Sequence, residues 1–274
     1  MLEPPRETSS AFDSAAHRYD ADEARNPAFE HIRARSFAHL RRAFAPGSTL
    51  LEIGSGTGTE AARLVAERGC RVALVDVSPS LLDAAARKVT AARSDGLLGR
   101  HVSPAASLGD LVATYGRGFF DGAYSSLGPL NCEPRLEPVA AGLAALVRPG
   151  GAVVLSPMNR WCLTEAAWFA AHRRWREAAR RWGGPVQASV YPGGPRTVTT
   201  WYYSRREVVS AFGGPFRLEH AEALPFLWPP TYLGSLVARH ATIFRALAPI
   251  EERTASWPVL RDLGDHVLLR FARR

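Results

Sequence analysis

The stretch Thr49-Leu50-Leu51-Glu52-Ile53-Gly54-Ser55-Gly56-Thr57-Gly58, followed by Arg71-Val72-Ala73-Leu74-Val75-Asp76, constrains the fold more than any other part of the chain. Leu50, Leu51 and Ile53 form a short apolar run suited to a buried parallel strand. The alternating glycines let the backbone approach a ligand at the start of the next helix. About twenty residues past the turn, Asp76 ends a second apolar run, where a carboxylate can accept both hydroxyls of a ribose. The pattern predicts strand, glycine turn, helix and strand, with a nucleoside ligand across the turn.

Details of the turn narrow the ligand. A dinucleotide fingerprint G-x-G-x-x-G/A fits only when started at Gly56, with Gly58 and Ala61; begun at Gly54 it fails, because Thr59 occupies the last position. No Lys follows the glycines, which excludes a phosphate loop. Glu52, just before the turn, would repel a pyrophosphate but suits a cationic ligand, held directly or through water. The pattern Glu52-x-Gly54-x-Gly56-x-Gly58 with Asp76 resembles the cofactor site of class I S-adenosylmethionine (SAM) methyltransferases, whose ligand carries an ammonium and a sulfonium. The resemblance spans about residues 49–157 and returns at the C-terminus. It implies an α/β, Rossmann-like seven-stranded sheet in the order 3-2-1-4-5-7-6, strand 7 antiparallel, flanked by helices and carrying inserted cap segments. The implied organisation is an N-terminal helical cap (1–45), a SAM-binding core (46–157), an inserted cap helix and strand (158–203), the strand 6 region (204–224), a second cap insertion (225–264) and strand 7 (265–274).

The same resemblance distributes roles along the chain. Residues 1–12 read as disordered, and Phe12-Asp13-Ser14-Ala15-Ala16-His17-Arg18-Tyr19-Asp20 resembles the entry segment of small-molecule methyltransferases. Tyr19 then packs near the cofactor's carboxylate or, alternatively, on the core beside a capping turn. A helix is predicted over about 27–44, with Phe29, Ile32, Phe37, Leu40 and Phe44 on its apolar face. Ser78 caps a later helix with Pro79 at its first position, and Val77 is placed to cover the adenine. Where the family usually has Gly-Asp after strand three, this chain has Ala105-Ala106, leaving backbone groups or Ser107 to meet the base. Ser125 and Ser126, after a fourth strand resembling F-D-x-V, are expected beside the methionine part of the cofactor. The implied cofactor set is Tyr19, Glu52, Gly54, Ser55, Gly56, Gly58, Asp76, Val77, Ala105, Ala106, Ser125 and Ser126, with no metal.

Beyond the fifth strand the chain is individual. Trp161, Trp168, Trp175 and Trp182 recur every seven residues, which predicts one helix with tryptophans along one side and arginines around its later turns. One reading makes this a cap helix with tryptophan core and a solvated basic face; the other makes it a lid over a flat, lipophilic acceptor or a membrane-touching surface. Cys132 lies in the loop where pyrimidine 5-methyltransferases carry a Pro-Cys nucleophile. Here Asn131 rather than Pro precedes it and no activating base is evident nearby, so a packed neutral thiol is expected. Candidate proton acceptors are His17, Tyr124 and Asn131, with Asn159, Tyr202, Tyr203 and His266 also considered; His17 is preferred because the entry segment should close over the reactive end.

Bulk properties set the remaining expectations. The formal charge of +8 rests on 34 basic residues, of which Lys88 is the only Lys, and no block of five like charges occurs. Coding bias explains so many arginines as well as nucleic-acid binding does, so a small-molecule acceptor is expected rather than RNA. Cys70, Cys132 and Cys162 form neither metal spacing nor an even disulfide framework, which fits a cytoplasmic protein. With no apolar signal region and no long apolar window, a soluble monomer or homodimer is expected, with peripheral membrane contact as the exception. The expected activity is methyl transfer from SAM to O, N or C of a small hydrophobic or aromatic metabolite, of the kind made in secondary metabolism. RNA methylation and SAM binding without transfer are the alternatives.

Overall fold

The computed structural model describes residues 6–16, 19–190 and 196–274. Three helices, α1 (Arg6–Ala15), α2 (Tyr19–Ala24) and α3 (Pro27–Ala43), precede the core. Asn26 caps α3, its side-chain oxygen accepting the Ala28 and Phe29 amides while Pro27 occupies a first-turn position that needs no donor. The core alternates through β1 (Thr49–Ile53), α4 (Thr59–Arg68), β2 (Arg71–Asp76), α5 (Pro79–Ala92), β3 (Leu97–Val102), α6 (Val112–Tyr115), β4 (Phe120–Ser125), α7 (Glu137–Leu146) and β5 (Val147–Leu155). Then come α8 (Leu163–Ala171), α9 (Trp175–Ala178), β6 (Val186–Ser189), β7 (Thr197–Thr200), α10 (Arg205–Phe212), β8 (Phe216–Leu224), α11 (Gly234–Arg239), α12 (Ala241–Thr254) and β9 (His266–Arg273).

Seven strands form one sheet in the order β3-β2-β1-β4-β5-β9-β8, which is the predicted order with β8 and β9 as sixth and seventh strands. Strands β1 to β5 pair in parallel, and β9 runs antiparallel to both β5 and β8. Alternation along the strands divides the core. Leu51, Ile53, Ala73, Val75 and Ala123 pack on the side of α7 and α10, whereas Leu50, Val72, Leu74 and Tyr124 pack on the side of α3, α4 and α5. In a parallel sheet of this kind the carboxyl ends of the strands open onto the ligand crevice. Here β1, β2, β4 and β5 all end there, so the loops after them face a common space.

Two expectations fail. Residues 6–12 belong to α1, which docks on the start of α5 through Asp13: its carboxylate accepts the Ser78 hydroxyl at 2.5 Å and the Ser80 amide at 3.1 Å. The tryptophan helix over 158–182 does not form either. Met158 and Asn159 bridge to strand-like neighbours, and α8 and α9 are separate helices joined through Arg173, whose φ of 58° lies in the left-handed region. The reason is tertiary. Arg180 donates to both oxygens of Glu165, at 2.7 and 3.1 Å, whereas one straight helix would hold those residues about 22 Å apart. The inserted strand β7 pairs antiparallel with β6, a partner not expected from the sequence.

Candidate active site

A cavity of about 510 Å³ lies over the carboxyl ends of β1, β2 and β4, closed from above by α1, α3 and the two inserted segments. Gly54, Gly56, Asp76, Val77, Ser103 and Ala105 line one end. The middle is lined by Leu127, Gly128, Cys132, Glu133 and Met158, and the far end by Arg180, Thr200, Tyr202, Tyr232, Asp265 and His266.

The three glycines act differently. A side chain at Gly54 would collide with Pro129, and one at Gly58 would come within 2.7 Å of Ala85 on α5, so both permit close packing of neighbouring groups. A Cβ at Gly56 would meet nothing within 4 Å, and Gly56 sits at φ 51° on the cavity wall, where bare backbone faces the ligand space. Asp76 holds this turn: its Oδ2 accepts the Gly56 amide at 2.8 Å and its Oδ1 the Ser78 amide at 2.9 Å. Each carboxylate oxygen keeps a further lone pair for a hydroxyl. Burial raises the Asp76 pKa to about 6, although the Ser78 and Gly56 amides pull the other way.

Glu52 is a correction. It follows Leu50 and Leu74 to the opposite side of the sheet, is buried, and does not line the cavity. Burial and the Glu60 carboxylate raise its pKa well above the usual range, which favours the uncharged form. Glu52 therefore lies behind the turn and contributes no group to the cavity wall. Tyr124, expected as a proton acceptor, is fully buried beside Glu52, and burial with that neighbour pushes its phenol well up. The two side chains face each other without meeting in hydrogen-bond geometry. Ser55 and Ser125 are buried with unpartnered hydroxyls, and neither they nor half-buried Ser126 line the cavity; Leu127 and Gly128 do. Leu127 takes a left-handed φ of 61°, its amide donating to the Ser156 hydroxyl at 2.8 Å.

Asn131 does not reach a substrate. Its amide nitrogen donates to the carbonyls of Met158 and Trp201, at 3.0 and 2.6 Å, and its oxygen accepts the Met158 amide at 2.7 Å. It clamps three segments together. Val77 and Ala105 line the cavity as expected, but Ala106 does not, because its amide donates to Glu133 at 3.3 Å. Glu133, which no sequence motif marks, thus approaches the turn after β3 from across the cavity. Burial raises its pKa, and burial also pushes the Cys132 thiol up to about 12, which leaves that cysteine a neutral wall. His17 lies outside the described residues. Tyr19 opens α2, and its neighbour Asp20 accepts the Thr57 hydroxyl at 2.5 Å and Lys88 at 2.9 Å, tying the entry segment to the glycine turn.

The far end holds an ion network. Arg181 is buried and donates to the carboxylates of Glu165 and Asp265 and to the backbone of Asn159 and Asp265. Burial opposes ionisation of Asp265, but Arg181 outweighs it and holds the carboxyl below its ordinary range. Its Oδ2 lies 3.3 Å from Nδ1 of His266, a buried residue on the cavity wall. His266 also bridges to Met158, so it stands next to the loops that end β4 and β5. Among the described residues, His39, His220 and Glu222 gather ligand-type atoms elsewhere, where Arg35 bonds the Glu222 carboxylate at 2.7 Å.

Residues 29–212 match the model of a methyltransferase domain. The chain belongs to that methyltransferase family. Over 159 residues it is 32% identical to the malonyl-[acyl-carrier protein] O-methyltransferase of Serratia marcescens, a match covering 57% of this chain and 54% of that protein. The chain thus spans about half the length of the curated relative it matches. Two solved structures share the fold. One is from the complex between the Haloferax volcanii Trm112 methyltransferase activator and a methyltransferase, with a TM-score of 0.58 and 15% identity, covering 96% of this chain and 97% of that one. The other is Haemonchus contortus phosphoethanolamine N-methyltransferase 2 in complex with SAM, with a TM-score of 0.57 and 15% identity, covering 96% of this chain and 60% of that one. The residues fit the SAM that the sequence resemblance implies: Asp76 offers acceptors to a diol, Val77 and Ala105 offer apolar flanks, and Gly56 offers uncovered backbone. No helix among the described residues is long and apolar enough to cross a membrane.

Proposed function

We propose that this methyltransferase acts on a small, hydrophobic or aromatic metabolite that carries a protonated nucleophile. The observation that carries the reading is the continuity of one cavity, from the Gly56–Asp76 end to a far end bounded by Tyr202, Tyr232 and Val198. Bound SAM supplies an activated methyl group on a sulfonium. The protein's part is to hold the acceptor in line, exclude water and take up a proton. Asp76 receives the ribose hydroxyls, and Val77, Leu81 and Ala105 flank the base. His266 is the proton acceptor in this reading; its Nδ1 stands 3.3 Å from the Asp265 carboxylate, which Arg181 keeps ionised, without meeting it in hydrogen-bond geometry.

Transfer of labelled methyl from SAM into hydroxylated aromatic and aliphatic compounds, with bulk RNA in parallel, tests the acceptor class. Label in RNA alone would reject it, and no label in either pool despite cofactor binding would favour a protein that binds SAM without transfer. For the base, His266→Asn should lower kcat by about a hundredfold while the SAM Kd stays within about twofold. An unchanged kcat would remove His266 from the reaction.

A further inference from the structure

The two inserted segments, 158–203 and 225–264, carry a surface that neither the cavity nor the fold explains. Four of the seven tryptophans, Trp161, Trp175, Trp182 and Trp257, stand 44%, 66%, 51% and 56% exposed, all within these segments. Of the ten large hydrophobic side chains exposed among the described residues, eight lie here, the other two being Val102 and Phe119. The same segments hold eleven arginines against five acidic residues, so they carry six of the chain's eight net positive charges. Apolar exposure and positive charge therefore coincide, where chance would scatter them over the molecule.

Contacts between the insertions bring Trp161 and Trp182 up to the stretch that follows Trp257. The Trp161 and Trp182 rings lie 5.8 Å apart. Leu163 donates its amide to the Leu263 carbonyl at 3.0 Å, and Asn159 bonds the Asp262 carbonyl at 2.7 Å, which seats this turn against the segment that follows Trp257 and Val259. Trp175 opens α9 beside exposed Arg173, Arg174 and Arg176, of which Arg174 pairs with Glu177. Ile243 and Ile250, both exposed, lie seven residues apart along α12 and so share one side of that helix.

We propose that the inserted segments dock on an anionic phospholipid bilayer, with the tryptophan rings in the headgroup region and Arg173, Arg174 and Arg176 meeting lipid phosphates. Indole suits that boundary because its ring is apolar and its N–H remains wet. Guanidinium pairs with phosphate in a two-point contact and is more weakly hydrated than an ammonium. A second copy of this chain fits the face less well, since a two-fold contact would set the arginine-rich surface against itself. Arg180, Tyr202 and Tyr232, on the same insertions, line the far end of the cavity, so the docked side adjoins the acceptor end. Docking stands whichever atom is methylated, and whether or not transfer occurs.

Sedimentation of the full chain with vesicles of phosphatidylcholine alone, and of phosphatidylcholine mixed with phosphatidylglycerol, tests the proposal. Partition into the mixed vesicles is expected, weakening with added salt, with a blue shift of tryptophan emission. Arg173→Glu with Arg176→Glu should weaken partition by about tenfold or more, and Trp175→Ala with Trp182→Ala should do so independently. SAM affinity serves as the control that both variants remain folded. Failure to bind mixed vesicles at low salt overturns the proposal, as does binding that neither pair of substitutions changes. A dimer seen by light scattering that both variants dissociate, without vesicle binding, assigns the face to a second copy and overturns it too.

Discussion

Asp76 combines two duties that the sequence pattern presents as one. It offers acceptors to a ligand, and it also pins the Gly56 and Ser78 amides. Asp76→Ala would therefore loosen the turn itself, leaving two amides without their partner at a cost of about 1–3 kcal/mol each. Asp76→Asn keeps the shape but only one acceptor oxygen, so the charge is lost and its NH2 meets either the Gly56 or the Ser78 amide donor to donor. We expect it to raise the SAM Kd at least tenfold and to cost about 1–3 kcal/mol of stability through the one amide left unpaired, both of which calorimetry can read. The pKa of about 6 adds a pH signature. Protonation competes with the diol, so affinity should weaken as pH falls through 6, by up to about tenfold per unit; a Kd flat between pH 7 and 5 would contradict the assignment. Glu52 teaches the complementary lesson. Its place in the motif was plain, but its charge depended on which side of β1 it faced.

At the scale of elements, the strands and the helices that pack on them were legible because burial imposes period two and period 3.6 on their residues. The helix over 27–44, the cap at Ser78 and the strand over 71–76 fall where propensity and apolar spacing put them. The insertions were not legible, because their shape is set by long-range polar contacts. Glu165 draws Arg180 and Arg181 back across fifteen and sixteen residues and divides one expected helix into two. Phe12 reaches the cavity because Asp13 docks α1 on α5, a contact 65 residues away in sequence. Asn131 joins the loop after β4 to Met158 and to Trp201. Asn131→Ala should cost about 2–4 kcal/mol in urea unfolding and raise KM for the acceptor more than for SAM. Loss of kcat with full stability would instead return it to the chemistry.

Across the whole molecule, buried charges pull stability in opposite directions with pH. Asp76 and Glu52 have raised pKa values in the fold, so they contribute stability below the unfolded carboxylate range and lose it as pH rises through their folded values, about 6 for Asp76. For Glu165, Glu222, Glu251 and Asp265, burial opposes ionisation but bonded arginines and histidines outweigh it and hold them low. Their stability is present above the unfolded range and lost as pH falls through their folded values. The cofactor-free protein should therefore gain a few degrees in Tm from pH 7 to 5 and lose stability steeply below about 4; scanning calorimetry over that range checks both limbs. By itself the sequence determined the alternation of strands and helices and the glycine turn with its acid, because repeating local patterns encode them, while the strand order came with the family resemblance those patterns carry. The tertiary structure alone decided which carboxylates are charged, which loop residues reach the cavity and how the insertions fold over it. Those properties depend on what surrounds a side chain, and its surroundings come from residues far away along the chain.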